Sequence, residues 1–153
     1  MKNDILRLRP HHILDIVRSY GQGRMFTPHP LGHALHEVAQ KLLNDLDQSI
    51  ELVVAADAIC EPCSRLNPGG TCSDVLPQLD EKPSKQEYND RLDEKLLPCL
   101  GLAEGAVMTL REYLKIVNSR IPGVEKICTH PKEDQAERLA GMIEGLKKLG
   151  IRP

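Results

Sequence analysis

Three of the five cysteines lie close together in residues 59–72, where Cys60, Cys63 and Cys72 have the spacing C-x2-C-x8-C. A C-x2-C pair turns two thiolates toward one point, and a third cysteine after a glycine-containing loop can close on the same point. Thiolates are the ligands of zinc and of iron–sulfur clusters, which commonly take four. The spacing therefore predicts a metal-binding loop at about residues 57–75, which needs a fourth ligand from elsewhere.

The fourth ligand is predicted to be Cys128, because it lies in a polar turn just before a predicted helix. Cys99 lies between Pro98 and Leu100, an apolar setting that suits a buried thiol. The spacing does not decide between an iron–sulfur cluster, which could be a 4Fe–4S cluster, and zinc. A zinc ribbon would normally present a second C-x2-C pair, and the sequence has none.

Two other interpretations of the cysteines stay open. They could be unligated thiols in a surface loop. Alternatively, the sequence Cys60-Glu-Pro-Cys63 after a predicted strand is similar to the redox motif of thioredoxin-like enzymes. Against the redox interpretation, the Asn-Pro-Gly-Gly sequence at residues 67–70 would interrupt the helix that such a motif requires.

His11 and His12 form a second candidate site, in the first turn of a helix that Pro10 is placed to begin. Adjacent histidines at a helix start are more often caps or surface residues than ligands. Asp15 lies one turn beyond His11, so it is expected to orient that imidazole or, as an alternative, to act as a ligand itself. Three further histidines have ligand-like spacing, but the polar helix face on which they fall favours solvated side chains: His29, His33 and His36.

Composition narrows the class of protein. The 153 residues, 41% of them hydrophobic, suffice for one domain spanning 1–153 with an aliphatic core. The net charge of −2 and the lack of a Lys/Arg run argue against a nucleic-acid partner.

The sequence has neither a secretory apolar core near residue 1 nor a membrane-length apolar run, so we expect a cytoplasmic protein without membrane attachment. Cytosolic thiols stay reduced, which favours metal or redox chemistry for the C-x2-C pair.

Hydrophobic periodicity predicts five helices and two strands. The expected strands are 5–8 and 50–55. Helices are expected at 10–20, at about 31–46, from a capping box at 84–87 to near 98–101, from a capping box at 109–112 to 119, and from Pro131 to near Gly150. Tyr88, Leu92 and Leu96 recur at helical spacing in the third helix. The predicted fold is a mostly helical α+β domain with a small two-stranded sheet and the cysteine-rich loop at its surface.

The chain resembles a family of small bacterial and archaeal proteins of unknown function that are regarded as candidate iron–sulfur proteins. The resemblance rests on the RPHH sequence at residues 9–12, the glycine-containing turn at 20–23, the segments around Cys60, Cys63 and Cys72, and the segment 100–105, and it ends near Cys128. Family members carry a cysteine where this chain has Asp15, and further cysteines after the position of Cys128. The resemblance therefore implies a single four-thiolate set in this chain.

The leading hypothesis is a cytoplasmic protein that binds one iron–sulfur cluster through four cysteines, with a redox or sensing role and a redox partner protein. One alternative is a structural zinc site in a protein that binds other proteins. The other is a thiol or metal-dependent enzyme in which His11 and His12 act beside the metal, while their helix N-terminus binds an anionic group of the substrate.

Overall fold

The computed structural model describes residues 5–27, 34–55, 57, 59, 85–121, 123–127 and 134–151. In this part of the chain it contains five α-helices, one short 3-10 helix and three strands, so the mostly helical α+β class is confirmed. The elements are, in chain order, β1 (Leu6–Leu8), α1 (Pro10–Gly21), α2 (Leu35–Asn44), β2 (Ser49–Leu52), α3 (Lys85–Leu100), β3 (Val107–Thr109), α4 (Leu110–Ser119), the 3-10 helix (Val124–Lys126) and α5 (Gln135–Lys148).

Among the described residues, the sheet has three strands in the order β1-β2-β3, so the prediction of two strands is wrong. Strands β1 and β2 run parallel, with Leu6 opposite Ile50, whereas β2 and β3 run antiparallel, with Ile50 opposite Met108. The missed strand is three residues long and follows a turn at Gly105, whose φ is +90°. The β2 strand spans Ser49–Leu52 and is shorter than the predicted 50–55.

Helix α1 follows β1 after one residue and starts with Pro10 at its first position, as predicted. Its apolar positions recur at helical spacing and are buried in the core: Ile13, Leu14, Ile16 and Val17. Helix α1 therefore presents its N-terminal end, with His11 and His12, directly beside the end of the sheet.

Helices α1 and α5 pack at close range because glycines face the other backbone. A Cβ atom added to Gly145 would lie 2.1 Å from the carbonyl oxygen of Val17, and one added to Gly141 would lie 3.0 Å from the carbonyl oxygen of Arg18. Such distances exclude any larger residue without a shift of the helices. The C-terminal helix is thereby held against the helix that carries the two histidines.

Helix ends agree with the predicted capping at some positions and differ at others. The Thr109 hydroxyl accepts a hydrogen bond from the backbone N–H of Glu112 at 3.1 Å, which confirms the predicted cap of α4. Helix α5 begins after Asp134, whose Oδ1 accepts from the N–H groups of Ala136 and Glu137, and not at the predicted Pro131. Its end at Gly150, with φ of +76°, is as predicted.

Other predicted boundaries fall partly outside the described residues. Helix α2 begins at Leu35, although the periodicity predicted a start near residue 31, and residues 28–33 are outside the described part. Ser84, the first residue of the predicted capping box of α3, is also outside it. Helix α3 ends at Leu100 and is followed by Gly101 with φ of +71°, within the predicted range.

The buried side of α3 contains only one of the three residues that recur at helical spacing. Of Tyr88, Leu92 and Leu96, only Leu96 is fully buried. The buried positions are Asp93, Leu96, Leu97 and Leu100, which follow the spacing i, i+3, i+4, i+7. An acidic residue therefore stands on the core-facing side of this helix.

None of the helices in the described part of the chain has the length and apolar character needed to cross a membrane.

Candidate functional site

The most elaborate polar cluster in the described structure lies at the N-terminal end of α1. Arg9 is the N-cap residue, and its side chain is almost completely buried; His11 is 5% exposed. Charged and polar side chains are seldom buried unless other groups hydrogen-bond to them. Arg9 and the two histidines therefore need hydrogen-bond partners within the protein.

Asp93 of α3 is the first of these groups and has no solvent exposure. Its Oδ1 accepts from the backbone N–H of His11 at 3.0 Å and lies 2.8 Å from His11 Nδ1. Its Oδ2 accepts from Arg9 Nη1 at 3.0 Å. One carboxylate thus caps the helix, orients an imidazole and pairs with a buried guanidinium.

Asp57 is the second group and lies beyond the end of β2. Its Oδ2 accepts from the backbone N–H of Arg9 at 2.8 Å and lies 2.7 Å from His12 Nδ1. Its Oδ1 accepts from the backbone N–H of Ile59 at 3.1 Å. Asp57 therefore joins the chain just before the cysteine-rich loop to the start of α1.

The Arg9 guanidinium also forms an ion pair with Asp90, at 2.8 Å from Nη2 to Oδ1. Burial lowers the pKa of Arg9, but hydrogen bonds and charge attraction from Asp93 and Asp90 outweigh this, so its pKa is raised above the ordinary value. Arg9 is therefore a permanent buried cation between two acids of one helix, although its Nε has no hydrogen-bond partner among the described residues.

The two imidazoles are in contact, with ring centroids 4.6 Å apart and ring planes 58° from parallel. Burial lowers the pKa of His12, but the adjacent Asp57 carboxylate raises it more, and Asp15 adds to the increase, so that the pKa of His12 is above its ordinary value. Each ring uses Nδ1 for its carboxylate, which favours the tautomer with a proton on Nδ1 and a lone pair on Nε2.

Tyr113 of α4 supports the same turn of helix. Its hydroxyl donates to the carbonyl oxygen of Pro10 at 2.9 Å, and its side chain is completely buried. Three different elements, α3, α4 and the segment after β2, therefore hold the two histidines in place.

Asp15 does not have the predicted role of orienting His11. Its Oδ1 pairs with Arg18 at 3.1 Å and lies 3.8 Å from Arg138 of α5, while His11 Nδ1 is bound by Asp93. Asp15 influences the site through its charge, which favours protonation of His12 and raises its pKa.

The expectation that the N-terminus of α1 binds an anionic group also needs correction. The backbone N–H of His11 already donates to Asp93, and that of Arg9 to Asp57. Carboxylates of the protein itself therefore occupy this helix end, and a further anion would meet negative charge.

The predicted thiolate ligands lie outside the described residues: Cys60, Cys63, Cys72 and Cys128. His29 and His33 lie outside them as well.

Cys99 is described as a partly buried free thiol that packs against the core, in agreement with its apolar surroundings. His36 is 22% exposed, with Nε2 at 3.6 Å from Glu37, so this side chain is less solvated than predicted. Within the described ranges, no three His, Cys, Asp or Glu side chains are placed to hold a metal ion.

Sequence reasoning missed Arg9, Asp57 and Asp93 as members of this site. Asp93 could have been found, because it shares the i, i+3, i+4, i+7 pattern of Leu96, Leu97 and Leu100. An acid on an apolar stripe requires a buried partner. In the structure this partner is Arg9 of the RPHH sequence.

The fold and the site define a small, mostly helical α+β domain with a buried arginine and two carboxylate-bound histidines. The sequence model of the family described as "Protein of unknown function (DUF1284)" matches residues 31–132, roughly two thirds of the chain, and the chain belongs to this family. The match includes Asp57, Asp93 and the four predicted ligand cysteines, but it begins after the RPHH sequence. No curated protein and no solved structure matched the chain.

Proposed function

We propose that the protein binds one iron–sulfur cluster through Cys60, Cys63, Cys72 and Cys128 and that it has a redox or sensing role in the cytosol. A cytosolic site keeps the thiols reduced and available as ligands. Under this proposal, the cluster exchanges electrons with a partner protein or responds to oxidants. The thiolate spacing is the chemical basis, because four thiolates with one C-x2-C pair are a common way to hold such a cluster.

The structural observation that supports the proposal is that the residues before Cys60 and before Cys128 are both anchored to one hydrophobic core. Ile59 is 6% exposed; its N–H donates to Asp57, and its carbonyl oxygen accepts from Ala34 at 2.8 Å. Ile127 packs against the same core, and its N–H donates to the carbonyl oxygen of Val124 at 3.2 Å. Cys60 and Cys128 therefore each follow a residue that is fixed in the core, and a cluster bound by both would be attached to the fold at two places.

Serine substitutions test the ligand set. We expect Cys72→Ser and Cys128→Ser to lose bound metal and to unfold at a lower temperature, because a site that orders a loop contributes to folding. Cys99→Ser is the matched control, since Cys99 is a thiol outside the proposed set. Unchanged metal content and melting temperature in Cys72→Ser and Cys128→Ser would refute the assignment.

Zinc bound by the same thiolates is the alternative occupant, and the protein would then be an interaction module with a structural metal. The two cases differ in colour. Zinc leaves the protein colourless, whereas an iron–sulfur cluster gives it a brown colour and acid-labile sulfide.

A second candidate function is a metal-dependent or thiol enzyme that uses the two histidines. The observation that favours it is the contact of His12 with Asp57 at 2.7 Å, the arrangement in which a carboxylate orients an imidazole for general acid–base catalysis. A panel of uncharged chromogenic ester substrates tests it. Turnover that is lost in His12→Gln and kept in His36→Gln would support the enzyme, and absence of turnover of the panel by the native protein would count against it.

A further inference from the structure

His11 and His12 are neighbours in sequence, yet their rings are in contact. Consecutive side chains on a helix normally point in different directions. Here the two Nδ1 atoms are bound by carboxylates from different parts of the chain, Asp93 on α3 and Asp57 after β2. The protein therefore uses two buried acids to fix both rings side by side.

Carboxylate hydrogen bonds at Nδ1 are the usual outer partners of histidines that bind a metal through Nε2. The hydrogen bond fixes the tautomer and raises the basicity of the opposite nitrogen. No hydrogen bond joins Nε2 of His11 or of His12 to another of the described residues. Each ring thus has its orienting bond in place and its second nitrogen available for a ligand.

The distance between the rings agrees with a shared ion. With about 2.0–2.1 Å between a zinc ion and each imidazole nitrogen, two rings on one ion have centroids roughly 4.5–5.2 Å apart, depending on the angle at the metal. The observed separation of 4.6 Å lies within this range. The separation of the two rings is therefore compatible with one shared ion.

Charge also favours a cation at this position. Two carboxylates contact the imidazoles directly, Asp57 at His12 and Asp93 at His11. Asp57 and Asp93 have completely buried side chains, so solvent screens their charge weakly. A positive ion on the two imidazoles would be attracted by these two buried carboxylates.

From these observations we propose that His11 and His12 together bind one divalent first-row transition-metal ion through their Nε2 atoms, at a site separate from the cysteine ligands. Imidazole ligands suit zinc, nickel, copper and iron, and they do not suit magnesium or calcium. Two protein ligands leave coordination positions for water or for a small-molecule ligand. This site does not depend on whether the cysteines bind a cluster.

Zinc titration of the native protein, followed by NMR of the imidazole nitrogens in ¹⁵N-labelled chain, tests this inference. Reaction of the cysteines with a thiol reagent, measured in parallel, reports when the thiolates bind metal. We expect Nε2 of both His11 and His12 to shift at a zinc equivalent that leaves thiol reactivity unchanged. His36 is the internal control and should not shift, and magnesium should move none of the three.

Absence of a shift in His11 and His12 at every zinc ratio would overturn the inference. Ring shifts that occur only together with thiol protection would also overturn it, because the histidines would then belong to the cysteine centre. Metal content provides a second measurement. After dialysis against zinc, His12→Gln should hold one zinc ion fewer than the native protein and than His36→Gln, and equal zinc in all three would contradict the separate site.

Discussion

Replacing Asp93 by Asn tests whether one buried carboxylate holds the N-terminal end of α1 in place. Asn keeps the size of the side chain but has one acceptor oxygen and an NH2 group that only donates. The remaining oxygen can still accept from His11. The NH2 group then takes the place of Asp93 Oδ2, which in the native protein accepts from Arg9 Nη1 at 3.0 Å. Two donors would then meet inside the protein, and Arg9 would lose a charged partner.

The expected cost follows from the burial of this pair. The Arg9 side chain is 2% exposed and that of Asp93 is 0% exposed. Removal of one partner from a buried ion pair typically costs about 3–5 kcal/mol, because the other charge stays buried without compensation. Asp90 still pairs with Arg9, so we expect the lower part of this range, about 3 kcal/mol.

Urea unfolding, monitored by helical circular dichroism at equal metal content, measures this free energy. Asp90→Asn is the matched control, because it makes the same chemical change on the same helix and in a partner of the same arginine. The Asp90 side chain is 31% exposed, so its loss should cost about 1 kcal/mol. Equal unfolding free energies for Asp93→Asn and Asp90→Asn would refute the reasoning that burial of Asp93 determines its effect.

Three further substitutions test the surroundings of the site. Tyr113→Phe removes the buried hydrogen bond to the carbonyl oxygen of Pro10 and should lower the free energy of unfolding by about 1–2 kcal/mol in urea denaturation. Gly145→Ala places a Cβ atom 2.1 Å from the carbonyl oxygen of Val17, so α1 and α5 must separate; we expect a loss of about 1–3 kcal/mol and a lower melting temperature in calorimetry. Thr109→Ala removes the cap of α4 and should cost about 1 kcal/mol in the same urea assay.

Each of these predictions has a control that separates its cause from a general effect of mutation. Tyr20→Phe removes a phenol from a partly exposed position, and it should cost less than the change at Tyr113. Glu144→Ala is a neighbouring exposed position of α5, so a cost equal to that of Gly145→Ala would contradict the close helix packing. Thr109→Ser keeps a capping hydroxyl, and a loss as large as that of the alanine variant would show that the cap is not the cause.

Helices were predictable from the sequence where periodicity and capping residues agreed. Helix α1 has Pro10 at its first position and four buried apolar residues at helical spacing. Helix α4 has the Thr109 cap, which the local sequence specifies without reference to other parts of the fold. In both cases the sequence signals that predict the element lie within a few residues of each other.

Strand β3 could not be predicted because its three residues have no distinctive pattern of their own. It exists because β2 offers a pairing edge, where Ile50 is opposite Met108. Pairing of this kind is set by distant residues, and strand preference depends strongly on such context. The sheet was therefore predicted with one strand too few.

The two histidines of the candidate site were predicted from the sequence, but the carboxylates that orient them were not. His11 and His12 were singled out, but Asp15 was expected to orient His11, since it lies one turn away on the same helix. The orienting carboxylates come instead from Asp93 and Asp57, which are 82 and 45 residues away from the rings that they bind. Only the tertiary packing of α3 and of the segment after β2 against α1 brings these groups together.

Iron and acid-labile sulfide content, determined together with the visible spectrum on protein purified without oxygen or chelator, is the most direct test of the proposed function. A 4Fe–4S cluster on Cys60, Cys63, Cys72 and Cys128 predicts about four iron and four sulfide per chain, with a brown colour that disappears in Cys128→Ser and persists in Cys99→Ser. Protein without iron and sulfide, or an iron content that Cys128→Ser leaves unchanged, would contradict the proposal.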